Sequence, residues 1–298
     1  MNAPRSTRIE VNGWIVLDKP VFTTSTSAVS RLKFLMNAKK AGHAGTLDPL
    51  ATGILPVAFG EATKTVPFVQ DGEKAYRFTI AWGAETDSDD AEGQITATSA
   101  KRPQVRDIEA LLPRFMGEIT QIPPAFSAIK IDGARAYDLA RSGVALDMPP
   151  RQVMIHALRL VAADADSATL VAECGKGTYV RAIARDLGRA LSCYGHVTAL
   201  RRTRVGPFME RDAVTMEALE QGGVALMRPI DAGLAEVACV IVDRQGAAQL
   251  RRGQALILRG RDAPSEGLIW ASCGGVAIAL GTVEQGALHP DRVFTTPY

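Results

Sequence analysis

Gly42-His43-Ala44-Gly45-Thr46-Leu47-Asp48-Pro49-Leu50-Ala51-Thr52-Gly53-Ile54-Leu55 sets one carboxylate, that of Asp48, in a loop of glycines and small residues. Gly42, Gly45 and Gly53 let the backbone turn tightly or approach a ligand closely. Pro49 disfavours helical backbone at Asp48 and holds it extended. The apolar run from Ile54 to Phe59 predicts a buried strand that anchors the loop. For an isolated Asp-Pro pair the plainer reading, the start of a turn, wins.

The surrounding chain bounds what such a loop serves. At 298 residues it is long enough for a sizeable core and two domains. A content of 47% hydrophobic and 22% charged residues is that of a soluble globular protein. The net charge of +2 does not by itself announce a nucleic-acid partner. Its distribution is more telling. Arg31, Lys33, Lys39 and Lys40 form one basic stretch before His43. Lys176, Arg181, Arg185, Arg189, Arg201, Arg202 and Arg204 form a second. Both are candidates for phosphate binding. Between them the acidic run Glu85, Asp87, Asp89, Asp90 and Glu92, closed by Gly93, is expected as an exposed turn. The cysteines, Cys174, Cys193, Cys239 and Cys273, show no paired spacing, which favours reduced thiols in the cytosol over a disulfide framework or zinc site. The first ten residues lack the apolar core of a signal peptide, and no stretch approaches the ~20 apolar residues of a membrane span.

Along the chain, Trp14 to Leu17 reads as a strand ended by Asp18-Lys19-Pro20. Thr24 or Ser25 caps a helix with Ala28, Val29, Leu32, Leu35 and Met36 on one face. Tyr76, Phe78, Ile80 and Trp82 alternate, so they share one face of a strand. Val105 to Phe115 reads as a helix disturbed by Pro113, Ala125 to Ile131 as a strand before the hairpin signal Asp132-Gly133, and Tyr137 to Arg141 as a short helix. Strands follow at Met154 to Val161, Thr169 to Cys174 and Val197 to Val205. A helix opens after Gly175-Lys176-Gly177-Thr178, and a shorter one covers Thr215 to Leu219. Without strict strand–helix alternation, this is the α+β class with a mixed, mainly antiparallel central sheet and flanking helices. From about residue 235, short apolar runs at Val237 to Val242, Ala255 to Leu258, Gly267 to Ala271 and Val276 to Leu280 predict a small β-rich domain. The domains expected are 1–234 and 235–298.

The string around Asp48 closely resembles the signature of the TruB family of pseudouridine synthases. Leu17-Asp18-Lys19-Pro20, Lys74-Ala75-Tyr76 with Gly83, Lys176-Gly177-Thr178-Tyr179-Val180-Arg181 with Asp186-Leu187-Gly188, and Leu200-Arg201-Arg202 with Gly206 and Phe208 match the family in order. One departure is Phe22, where the family usually has glycine. The resemblance implies the pseudouridine synthase fold and a C-terminal domain of the PUA (RNA-binding) type. It implies isomerisation of uridine to pseudouridine at tRNA position 55, in the T loop, by a bacterial stand-alone enzyme with no guide RNA and no cofactor. A cytoplasmic monomer is expected.

By the same resemblance, Asp48 is the catalytic carboxylate, Tyr76 stacks on the target base, and Arg181 pairs with Asp48. Tyr179 and Leu200 line the pocket, and His43 stacks in the RNA loop. The base must be flipped out of folded RNA to be reached. Lys19, Lys64 and Lys130, with the basic stretches, are candidates for the phosphate backbone. Each has a plainer alternative: core aromatics for Tyr76 and Tyr179, core packing for Leu200, a polar loop residue for His43, solvated surface for the cations. Other chemistries lack their residues. There is no phosphate loop, no dinucleotide fingerprint, no serine elbow, and no metal-ligand spacing among His43, His156, His196 and His289. The rival readings are a tRNA-binding folding chaperone, with or without catalysis, and a glycoside hydrolase, for which no second carboxylate stands out.

Overall fold

The structure, a computed structural model, describes residues 7–127, 129–131, 134–137, 147–260 and 264–295. For Lys130, Ile131, Ala134 and Arg135 it describes the backbone alone. Strand β1 (Gly13–Lys19) is buried on both faces: Ile15 and Leu17 enter one hydrophobic cluster, Trp14 and Val16 another. The alternation is the two-residue period of a strand with both sides covered. Helix α1 (Ser25–Leu35) starts where the Thr24 hydroxyl accepts from the Ser27 N–H at 3.1 Å, and it buries Ala28 and Leu32. Strands β2 (Ala41–His43) and β3 (Thr52–Phe59) flank the Asp48 loop. The chain continues through α2 (Val66–Asp71), β4 (Lys74–Trp82) and the hairpin β5 (Ala84–Thr86) and β6 (Ile95–Thr98). Helix α3 (Val105–Leu111) tightens into a 3₁₀ turn, Leu112–Phe115, at Pro113, and β7 (Gly117–Gln121) follows.

The strand expected over Ala125 to Ile131 shrinks to β8 (Lys130–Ile131), paired with β9 (Ala134–Arg135). The Asp132-Gly133 turn between them, and all of the expected Tyr137 to Arg141 helix after Tyr137, lie outside the described residues. Long strands β10 (Arg151–Ala163) and β11 (Ser167–Cys174) lead to helix α4 (Val180–Ala190), then β12 (Gly195–Val205), β13 (Phe208–Met209) and α5 (Met216–Gly222).

Nine of these strands form one sheet in the order β1-β3-β12-β4-β11-β10-β7, with β2 on β3 and β13 on β12, while β5-β6 and β8-β9 pair apart. The β3–β12 pair runs parallel and the other pairs antiparallel, which is the mixed α+β sheet expected. Its register lines up four residues of separate motifs. Lys19 lies opposite Gly53, Gly53 opposite Arg202, and Arg202 opposite Tyr76. Residues matched this way across neighbouring strands project to the same face of the sheet. Gly53 is the necessary gap in the row. A β-carbon there would sit 2.2 Å from the Arg202 carbonyl oxygen, and its φ of +95° is one that glycine adopts freely.

The acidic run is not an exposed turn. Glu85, Asp89 and Asp90 are buried, although Asp87 and Glu92 face solvent. Arg181, Arg185 and Arg189 recur every four residues and so share one face of α4. Asp90 meets Arg181 at 3.2 Å, Asp89 meets Arg185 at 2.9 Å, and Glu85 grips Arg189 through both oxygens at 2.6 and 2.7 Å. Val180, Ile183, Ala184 and Leu187 meanwhile face the main core. The helix is therefore clamped between apolar packing and an ion-pair ladder. Burying both signs together is what makes either tolerable.

Beyond Pro229 a second sheet forms, order β14-β16-β17-β18-β15, from β14 (Ala238–Ile241), β15 (Leu256–Ile257), β16 (Gly267–Cys273), β17 (Val276–Glu284) and β18 (Ala287–Val293). Helix α6 (Arg244–Arg251), whose cap is Asp243, packs on it. This sheet does not hang free. Ala277, Leu280 and Phe294 share a cluster with Trp14, Val16, Ile54, Val69 and Phe208. No helix among the described residues is long and apolar enough to cross a membrane.

Candidate active site

Asp48 follows β2 in the loop before β3, and its carboxylate is about a third exposed. Three elements pin the loop beneath it. The Ser25 hydroxyl, at the start of α1, donates to the Leu47 carbonyl at 2.9 Å and accepts from the Leu47 N–H at 2.8 Å. The buried ammonium of Lys19 donates to the carbonyls of Pro20 (2.9 Å), Thr23 (2.7 Å) and Pro49 (3.3 Å). Arg202, 2% exposed, donates from Nη2 to Gly45 O (3.2 Å), from Nη1 to Thr46 O (3.1 Å) and from Nε to Ile54 O (3.0 Å). Asp48 is thus bracketed on both sides by fixed backbone.

Arg181, 5% exposed, reaches the carboxylate from α4, its Nε lying 3.0 Å from Oδ2. The rest of the guanidinium is already committed. Nη1 donates to Ser88 O (2.9 Å) and Asp90 Oδ2 (3.2 Å), and Nη2 donates to Phe126 O (2.9 Å). The Nε–H is not aligned for a hydrogen bond with Asp48 and finds no other acceptor. The contact is therefore an ion pair whose cationic half is locked by its far side.

The other expected residues sit on neighbouring elements. Tyr76 is half-buried on β4, and burial pushes its phenol up to about 12, against the pull of Arg202. It stays neutral at ordinary pH. Tyr179 precedes α4; its N–H donates to Gln121 Oε1 at 2.8 Å, its carbonyl accepts from Gln121 Nε2 at 3.1 Å, and burial raises its phenol. Asp48 is one of the charges acting on both tyrosines. Leu200 lies opposite Phe78 and packs in the main core. His43 closes β2, and its buried Nδ1 has no hydrogen-bond partner. Burial, then Arg202, lowers its pKa, so the ring is a neutral imidazole near pH 7.

Known families match much of the chain. The TruB family pseudouridylate synthase N-terminal domain matches residues 33–180, and the tRNA pseudouridylate synthase B C-terminal domain matches residues 181–234. The chain belongs to the TruB family. It is 55% identical to the tRNA pseudouridine synthase B of Bradyrhizobium diazoefficiens, with 98% of this chain and 88% of that one covered. It is 51% identical to the enzyme of the same name from Brucella anthropi, with 96% of each covered. In fold it resembles a Cbf5-Nop10-Gar1 complex (TM-score 0.74, 24% identity, 95% of this chain and 85% of that one). It also resembles an H/ACA RNP bound to a substrate RNA containing 2'-deoxyuridine (TM-score 0.75, 22% identity, 95% and 85%).

Within this TruB chain the cations expected at RNA need correcting. Lys19 is fully buried, its ammonium spent on three backbone carbonyls, so it cannot meet a phosphate. Lys64 is held by Glu61 at 2.7 Å and by the Val293 carbonyl at 2.7 Å, between the two sheets. The side chain of Lys130 lies outside the described residues. The second basic stretch is mostly spent internally as well. Besides the α4 arginines, Arg201 grips Asp18 and Glu210, and Arg204 bonds Glu73 (2.8 Å) and Glu236 (3.0 Å). Sequence reasoning also missed the loop-holding roles of Ser25, Lys19 and Arg202. In the first basic stretch, Lys33 and Lys40 carry no ion pair among the described residues.

Proposed function

We propose that this chain converts uridine to pseudouridine at position 55 in the T loop of tRNA, with Asp48 as the essential carboxylate. TruB membership and relatives named tRNA pseudouridine synthase B support the activity and the substrate class. The observation that carries the site assignment is the 3.0 Å approach of Arg181 Nε to Asp48 on a loop fixed at Leu47, Pro49 and Thr46. Such a clamp aims a carboxylate at a reacting centre before substrate arrives.

The reaction breaks the bond from ribose C1′ to uracil N1, turns the base and joins C1′ to C5. C5 loses a proton and N1 gains one. Nothing is oxidised and no atom is added, so the chemistry calls for no co-reactant. A carboxylate supplies either the nucleophile or the base this needs. The target uridine is flipped out of the folded loop to reach Asp48. Tyr76, neutral and half-buried beside Arg202, takes the flipped base against its ring, with Tyr179 and Leu200 behind it. The neutral His43 ring fills the gap left in the RNA, since stacking suits an uncharged planar group.

Residues 1–234 form the catalytic domain and residues 235–298 a PUA-like RNA-binding domain. The enzyme works as a cytoplasmic monomer on tRNA alone, without guide RNA. The test is to incubate the purified protein with an unmodified tRNA transcript, without ATP, added metal or guide RNA, and map pseudouridine. Modification confined to position 55 is expected. A transcript left unmodified overturns the reading, and modification elsewhere overturns the assigned position.

A further inference from the structure

We propose that the ring of Phe22 is a stacking platform for an unpaired RNA base beside the Asp48 loop. The proposal rests on the reading of the substrate as tRNA. Phe22 is 73% exposed, and the neighbouring Val21 is also exposed. Its φ is +61°, the left-handed region that suits glycine and costs a bulky L-residue about 1–2 kcal/mol. The family's usual glycine would take this conformation freely. The turn holds it nonetheless, because the Phe22 N–H donates to the Pro49 carbonyl at 2.7 Å and Lys19 Nζ donates to the Thr23 carbonyl beside it.

Neither packing nor backbone preference therefore accounts for phenylalanine here. The ring buries little, and the backbone is strained by it. Its position is specific, however. The backbone that carries it is bonded to Pro49, the residue after Asp48, so an exposed ring is anchored beside the loop that a flipped nucleotide must reach. Splayed bases of single-stranded loops stack on exposed aromatic rings. A phenyl ring carries no donor or acceptor, so the contact adds affinity without selecting a base.

The test compares Phe22→Gly, Phe22→Ala and Phe22→Trp with the parent, using an unmodified tRNA transcript. Measured are tRNA dissociation constants across a salt series, single-turnover pseudouridine formation and thermal midpoints. Removing the ring is expected to weaken binding by roughly fivefold to a hundredfold, as loss of one stacked base does. Gly and Ala should lose alike, and Trp should restore the loss. The slope of log affinity against log salt should not change, since no phosphate contact is involved. The rate at saturating tRNA should stay within about twofold, the mark of a contact made equally in ground and transition states. Phe22→Gly should melt no lower than the parent, because glycine relieves the strained φ. Phe22→Gly binding tRNA as tightly as the parent overturns the proposal, as does failure of Trp to restore what Ala loses. In either case, unchanged pseudouridine formation by the parent leaves the reading of the reaction standing. A parent that makes no pseudouridine overturns that reading instead.

Discussion

Arg202 stands opposite Tyr76 across β12 and β4, and its guanidinium also holds the carbonyls of Gly45, Thr46 and Ile54. One side chain thus ties the tyrosine's strand to the loop that carries Asp48. A lysine there keeps the charge but cannot donate along the three directions of the planar fork. We expect Arg202→Lys to destabilise the fold by about 2–4 kcal/mol, the range for stranding buried polar groups. It should lower the single-turnover rate more than tRNA affinity. Urea unfolding beside single-turnover kinetics checks this, and a variant with parental rate and stability would remove Arg202 from the loop-holding role.

We expect Lys19 to set an alkaline limit on activity. Burial lowers its folded-state pKa from the usual 10.5 to about 8, against the pull of Asp48. Between those values the unfolded chain binds more protons than the folded one, so this group's contribution to stability rises with pH. Activity should go the other way. A neutral amine has two N–H groups for three carbonyls, and the longest contact, to Pro49, is the one released. We expect the single-turnover rate to fall as pH rises through about 8, without a parallel loss of stability. A rate flat to about pH 10 would contradict it.

Much of this was legible before the structure. Strand and helix positions followed from alternation and caps, as at β4 and at Thr24 before α1. The Asp48–Arg181 pair followed from the resemblance of two motifs. What the sequence hid were pairings between distant elements. Glu85, Asp89 and Asp90 read as a solvated turn because nothing local says that the arginines of α4 lie above them. Lys19 and Arg202 read as surface cations because burial of a cation depends on carbonyls from other segments, and those positions follow only from the register through Gly53. Phe22 departs from the family's usual residue yet keeps a glycine-like φ, which only backbone angles reveal.

The cations that meet RNA should therefore be few. We expect Lys40→Ala to lower the slope of log affinity against log salt by about one unit, and Arg204→Ala to leave it unchanged while costing stability. Lys40 is exposed and unpaired among the described residues, whereas Arg204 is bound to Glu73 and Glu236. Equal slopes for Lys40→Ala and the parent, or a reduced slope for Arg204→Ala, would reverse this division.

The two sheets should unfold together. Ala277, Leu280 and Phe294 cover Trp14 and Val16, and Lys64 bonds the Val293 carbonyl while the Thr295 N–H donates to Glu61 at 2.8 Å. Removing residues 235 to 298 should destabilise what remains by about 3 kcal/mol or more, as stripping several large apolar contacts does. Lys64→Met should cost about 1 kcal/mol and leave the salt slope alone. Calorimetry reads both. Two separate transitions in the intact chain would show that the interface does not couple the sheets.

Asp48→Asn keeps the size and shape of the side chain and removes the charge and the basic oxygen. The Ser25, Lys19 and Arg202 contacts fall on backbone atoms and survive the change. The most direct measurement is single-turnover pseudouridine formation by Asp48→Asn on unmodified tRNA, with binding and thermal midpoint measured beside it. We expect parental folding, tRNA affinity equal to the parent's or tighter, and no pseudouridine. Pseudouridine formed at near the parental rate would show that Asp48 is not the catalytic carboxylate.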